Sequence, residues 1–317
     1  MGWETVIGSS EFLKEIRVVC ESTTNIWFDQ DMCTALANLI IDSATSSIHT
    51  FRFSGHFLDD IDCFAILSNA FMGFGNTLEH LEFSSIMIYA EPDFLEADDE
   101  CVISLGNLLA GMNTLKTLNL RSACGLVSLE GWLGLSKCLR NVNSSLRNLN
   151  LQACHMNDEG ARVIFMSLVG NSCLKKLWLT ENRMITAEIW KVVLHVLCNR
   201  SSIGSILYSS NHTFQRLWID LPIPEDVESL LTMNRNEDKS DVIRRKILNH
   251  VSGEGDDNAH IHVFARMSES MMPFALNWIG RDHFGFSLMY AVVRDIPQIF
   301  DSALGQPHLR ASKRTKC

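Results

Sequence analysis

One recurring phrase limits what this chain can become more than any other feature. An apolar-x-x-apolar-x-apolar pattern appears as LKEIRV from Leu13, IHTFRF from Ile48, LEHLEF from Leu78, LKTLNL from Leu115, LRNLNL from Leu146, LKKLWL from Leu174 and IGSILY from Ile203. Successive starts lie 28 to 37 residues apart. The last two apolar positions of each phrase are two residues apart, so both point to one side of a short strand and the residue between them points to the other. A polar turn and an apolar run of helical period then follow, as in DDECVISLGNLLAGM from Asp98, NDEGARVIFMSLVGN from Asn157 and TAEIWKVVLHVL from Thr186. Acidic residues crowd the starts of these runs, and Gly or Asn closes several, as helix ends favour. One strand and one helix cannot bury their apolar faces alone, whereas stacked units can. The repetition predicts an α/β solenoid.

The units are not equally regular. The ninth positions of the last three are Cys154, Asn182 and Asn211, side chains that can satisfy backbone groups of the turn. Losing such a residue leaves buried polar groups unpaired, at about 1–3 kcal/mol. The fourth unit has Ala123 there and Cys124 next, which predicts a one-residue slip or a looser turn. The first three carry Glu21, His56 and Ile86 instead.

The run LRNLNLQAC…NDEGARVIFMSL followed by LKKLWLTEN resembles the leucine-rich repeat of the ribonuclease-inhibitor type, well over 46–212 and loosely over 10–45. The resemblance implies a horseshoe with parallel strands on the concave face and helices on the convex face. SNHTF, VIRRKILNH, MPFALNWIGRD and GFSLMYAVVRDIPQIFD are similar to segments of microalgal leucine-rich-repeat proteins with a helical C-terminal extension, from which no activity is carried over. An open solenoid end needs a cap with a polar outer face. Helical patterns in LPIPEDVESLL, VIRRKILNHV, Ile261–Ile279 and Phe286–Asp301 supply one. The expected organisation is a solenoid of about seven repeats over 1–212, a helical cap over 213–303 and a disordered basic tail over 304–317.

Charge and motifs narrow the function. With 27 basic and 37 acidic residues the net charge is −10, against the basic footprint expected of a nucleic-acid surface. Ten cysteines without a CxxC pair read as reduced, buried thiols. No secretory leader or membrane-spanning run is evident, so a cytoplasmic monomer is expected, with the nucleus as the alternative location. The acidic run Glu91–Glu100 reads as a solvated loop and helix start. His260 and His262 beside Asp256 and Asp257 lack a third ligand of clear spacing, so no metal is expected. Nucleotide-binding, hydrolase and metalloprotease motifs are missing, so neither a cofactor nor a catalytic group is expected.

The residues between the buried positions then matter most. They are Thr117, Asn119 and Arg121; Asn148, Asn150 and Gln152; Lys176, Trp178 and Thr180; and Leu207. Trp178 stands out, because Trp is enriched where interfaces concentrate their energy. Its other reading is as a residue packed over Asn150 or against the cap. The expectation is a protein-binding scaffold, anchored on Trp178, with Arg121 and Lys176 pairing to acidic groups of an unnamed partner. The resemblance also allows an alternative, a GTPase-activating type of regulator of a small GTPase.

Overall fold

A computed structural model describes residues 14–19, 27–28, 30–42, 48–54, 56–57, 70, 77–84, 99–124, 127–141 and 143–252. The expected helices over 261–279 and 286–301, the basic tail, the His260/His262 segment and all of the Glu91–Glu100 run except its last two residues lie outside them.

Each of the first six phrases becomes a strand. These are β1 (Glu15–Val19), β3 (Thr50–Ser54), β5 (His80–Ser84), β6 (Thr117–Asn119), β7 (Asn148–Asn150) and β8 (Lys176–Trp178). With β9 (Arg216–Trp218) they form a seven-stranded sheet in the order β1-β3-β5-β6-β7-β8-β9, every pair parallel. Two short strands, β2 (Trp27–Phe28) and β4 (His56–Phe57), pair separately. Parallel neighbours need a crossover between them, and here helices provide it. They are α1 (Gln30–Asp42), α2 (Asp99–Gly111), α3 (Leu129–Arg140), α4 (Asp158–Met166) and α5 (Ile189–Leu197). With α6 (Ile203–Tyr208), α7 (Glu225–Met233) and α8 (Lys239–Ser252), the described residues hold eight helices. The chain is an α/β protein whose parallel sheet fits a solenoid-like repeat.

The seventh phrase behaves otherwise. IGSILY is a helix, and Leu207 lies on it rather than on a strand. Ser202 precedes it, and its Oγ accepts the Ser205 N–H, which caps the first turn. Ile206 and Leu207 follow Ile203 at three and four residues, the spacing of one helical face. The seventh strand comes from FQRLWI instead, with Phe214 and Leu217 buried. It lies beyond the expected solenoid boundary at residue 212.

The chain divides into two compact units, Met1–Leu197 with Ser210–Glu237, and Cys198–Ser209 with Asp238–Cys317. The first holds the sheet. Its core runs from Phe51, Phe53 and Phe83 to Leu118, Leu149 and Leu177, all buried beneath the strands. Neighbouring helices approach closely where glycines face each other. A Cβ on Gly106 would sit 2.2 Å from the Gly134 carbonyl oxygen, so α2 and α3 touch backbone to backbone.

Side chains tie each repeat to the next. The Asp158 carboxylate accepts both the N–H (2.8 Å) and the hydroxyl (2.6 Å) of Thr186, and Asp99 grips Ser128 in the same way. Asn182, 5% exposed, uses its whole amide: Nδ2 donates to the Leu151 and Leu179 carbonyls, and Oδ1 accepts from Cys154 N and Met156 N. A second asparagine row serves the helix ends. Asn141, Asn171 and Asn211 donate from Nδ2 to the carbonyls of Ala110, Leu139 and Leu168. Those carbonyls sit at or just past the C-termini of α2, α3 and α4, where helices leave acceptors unpaired. Asn211 thus acts at a helix end and not at the ninth position of a strand phrase.

The fourth unit shows no slip at its turn. Ser122, Ala153 and Glu181 occupy the eighth position of three successive units, with φ of 52°, 55° and 64°. All three turns leave the strand through the same left-handed residue, although none is glycine. What differs is the ninth position. The Leu120 carbonyl, without an asparagine of its own unit, accepts from the Cys154 thiol of the next unit at 3.1 Å.

The second unit, described over α6 and α8, buries Val242 and Ile247. Lys246 is also wholly buried, and burial lowers its ammonium pKa to about 7.

Candidate functional site

Strand register aligns the exposed side chains of the sheet into rows. One row runs Glu15, Thr50, His80, Thr117, Asn148, Lys176, Arg216. The next runs Arg17, Arg52, Glu82, Asn119, Asn150, Trp178, Trp218. Thr117, Asn119, Asn148, Asn150, Lys176 and Trp178 therefore stand together on one part-exposed face, with Leu118, Leu149 and Leu177 buried between them. Arg121, Gln152 and Thr180 follow directly after the strands. Leu207 does not belong to this face, for the reason given above.

Much of the face is already engaged. Near β1 and β3 the guanidinium of Arg52 lies between Glu15 at 3.4 Å and Glu82 at 3.8 Å. In the middle, Asn148 Nδ2 donates to Thr117 Oγ1 at 3.1 Å. The Asn119 and Asn150 side-chain oxygens accept the N–H groups of Arg121 and Gln152. Glu181 collects Arg121 at 3.7 Å and Gln152 Nε2 at 2.5 Å. Arg121 thus already has an acidic neighbour in its own chain. The Glu181 N–H goes to the carboxylate of Asp220 at 2.6 Å. Asp220 supplies what the carbonyls of Gln152 and Thr180 supply to Ser122 and Ala153 in the preceding turns.

The β8–β9 end is different. Trp178 and Trp218 stack with ring centroids 4.3 Å apart and planes 2° from parallel. Beside them in the adjoining row, Lys176 and Arg216 occupy paired positions. Among the described residues neither cation forms an ion pair, whereas Arg52, Lys116 and Arg121 do. Arg17 on β1 also stands without one, but no indole lies in register beside it. Trp178 packs on Trp218, a residue of the segment expected to form the cap, and Asn150 is its register neighbour on the other side. Sequence reading missed Trp218 and Arg216 because the last strand was placed at Ile203. The signal was present, since FQRLWI fits the same phrase.

Two other places were candidates. A groove of about 530 Å³ opens between α4 and α5, floored by Met166, Ile189 and Val192 and rimmed by Arg162, Glu188 and Lys191. Its mixed rim selects no single ligand charge. Buried thiols form the other. Burial pushes the Cys138 thiol up to about 12, whereas a hydrogen bond from Cys124 lowers that of Cys154 against its burial. Among the described residues no group of three or more His, Cys, Asp or Glu side chains is placed to hold a metal ion. Nor is any described helix long and apolar enough to cross a membrane.

Fold and site together show an α/β protein whose parallel sheet fits a repeat, with an aromatic, cationic corner on its exposed sheet face. Comparison with protein-family models and with curated proteins gave no match.

Proposed function

We propose that this chain is a leucine-rich-repeat protein of the ribonuclease-inhibitor type that holds another protein on its exposed sheet face, the concave face of a horseshoe, and is not an enzyme. The observation that carries the reading is the Trp178–Trp218 stack. Two part-exposed indoles beside cations without ion-pair partners are costly on a surface that nothing covers. Trp and Arg are also the residue types on which binding energy concentrates.

The repeat assignment draws support from the phrase spacing, the shared left-handed eighth position and the satisfied amide of Asn182. Helix α7 closes the array beyond β9. Asn234, which follows α7, donates to the Phe214 carbonyl at 2.8 Å and to that of Asn211 at 3.2 Å. The buried thiols of Cys138, Cys154 and Cys198 suit a reducing compartment, the cytoplasm or the nucleus.

The test is affinity capture from the native cell extract with wild type, Trp178→Ala and a Trp178→Ala/Trp218→Ala double variant. Removing one member of a part-exposed aromatic pair is expected to cost at most about 1.5 kcal/mol beyond the lost burial. Capture of the bound protein is expected to fall by about tenfold or more. Undiminished capture by the double variant would sink the reading. A collapse in melting temperature for Trp178→Ala would make the stack a structural element instead.

A further inference from the structure

We infer that the partner meets the β8–β9 corner with an extended acidic segment that also carries an apolar or aromatic side chain, an inference that rests on the exposed-sheet reading above. Three observations set the chemistry. First, Lys176 and Arg216 stand side by side in register, and among the described residues neither forms an ion pair. Elsewhere on the sheet Arg52, Lys116 and Arg121 are paired to Glu15, Glu79 and Glu181, whereas Arg147 and Lys175, just before β7 and β8, form no ion pair among the described residues and add to the positive charge of this end. An acidic protein of net charge −10 that leaves two neighbouring cations unneutralised presents a local site for carboxylates.

Second, the flat stack of Trp178 and Trp218 lies two residues further along the same strands. A peptide running along β8 and β9 therefore passes from charge to indole. Side chains two apart on an extended peptide point the same way, so a carboxylate and an apolar group can reach both positions at once.

Third, the far end of these strands is acidic. Asp220 and Glu181 lie just beyond the indoles, with the Asp220 carboxylate held by the Glu181 N–H. This fixes polarity: the acidic part of the ligand sits at the Lys176–Arg216 end and the apolar part over the indoles.

A single-stranded nucleic acid would also bring negative charge and flat rings. The surface fits it less well. A nucleic-acid groove tracks phosphates with cations along its whole length, and here the cations of one end face two carboxylates across the stack. The two indoles also spend one face each on the other, which leaves no gap between them for a base.

The test uses the full chain and three fluorescein-labelled probes: a peptide of repeated Glu-Glu-Phe, its Lys-Lys-Phe counterpart and an oligothymidylate. Fluorescence polarisation at low ionic strength is expected to show binding of the Glu peptide alone. Binding is expected to weaken as ionic strength rises towards about 0.5 M, where screening is short-ranged. Lys176→Glu/Arg216→Glu is expected to weaken it by about tenfold or more while circular dichroism and melting temperature hold. Trp218→Ala is expected to weaken it without changing the salt dependence. Binding of the Lys peptide as tight as that of the Glu peptide overturns the inference, as does unchanged affinity in the charge-reversed variant. Tighter binding of the oligothymidylate reassigns the corner to nucleic acid. If none of the probes binds while capture still depends on Trp178 and Trp218, the acidic-segment inference falls and the protein-binding reading stands. If capture is independent of both indoles, the reading itself falls.

Discussion

The two ends of the sheet solve one problem in different ways. β1, β3 and β5 are five residues long and pair in register over all five. Beneath them, aromatic side chains fill the core, with Phe51 and Phe53 each 6.2 Å from Phe83 between ring centroids. β6 to β9 pair over only three residues. Leucines fill that core, backbone bonds carry on past the strands, as from Ser122 N–H to the Gln152 carbonyl and from Ala153 N–H to that of Thr180, and side chains also reach from one repeat to the next. Asn182 makes four hydrogen bonds, and Asn171 and Asn211 close the helix ends. The carbonyls of Leu151 and Leu179, at the turns, are met by the Asn182 side chain, a donor of fixed geometry.

Substitutions can break this contrast. The largest effect is expected at Phe83, which is 1% exposed and contacts both other rings. Phe83→Ala should cost about 3–5 kcal/mol by urea unfolding, and hydrogen exchange should report the loss at β3 and β5 before β8. Next comes Asn182→Ala, expected to cost about 1–3 kcal/mol, with the exchange signature reversed: Cys154 and Met156 amides lose protection and β3 keeps its own. Asn182→Asp should be worse than Ala, since it places an acceptor where the Leu151 and Leu179 carbonyls require a donor. Equal loss at both ends for either variant would mean that the array unfolds as one unit and that the contrast has no energetic meaning.

The smallest effect is expected from acid. A hydrogen bond from Lys116 holds the Glu79 carboxyl below its ordinary value, at the junction of β5 and β6. A group whose pKa is depressed by folding stabilises the fold above its unfolded value, near 4.5, and loses that contribution as pH falls through the folded value. Protection factors of the amides around Thr117, that is, exchange relative to the unfolded chain at the same pH, should therefore fall between pH 5 and pH 3 by about twofold to fivefold, and Glu79→Gln should abolish that change. The Asn182 bonds contain no titrating group, so Cys154 and Met156 should show no such step.

Legibility in the sequence broke at a different place, the last strand. Phrases with Leu, Phe or Ile at the buried positions gave strands at the expected places from Leu13 to Leu174. IGSILY and FQRLWI both satisfy the phrase, and the first also satisfies a helical face behind a capping serine. Asn211 drew the register to the wrong one, because an asparagine in the ninth position looks like an asparagine closing a helix end. The candidate site suffered in turn. Trp178 was legible as an exposed aromatic, while its partner Trp218 and the cation Arg216 were not. Arg121 looked available to a partner until Glu181, 60 positions away in the chain and two strands across the sheet, was found beside it.

What the sequence determined alone is the repeat, the alternation that sends leucines inward and polar residues outward, and the acidic starts of the helices. These are local properties, set by periods of two and 3.6 residues and by the chemistry of helix ends. What the tertiary structure decided is which of two equivalent phrases became the last strand, and so which side chain lies against Trp178. Lateral pairing joins residues far apart in the chain. Its outcome depends on β8 offering its edge to Arg216–Trp218, and no window of sequence contains both strands.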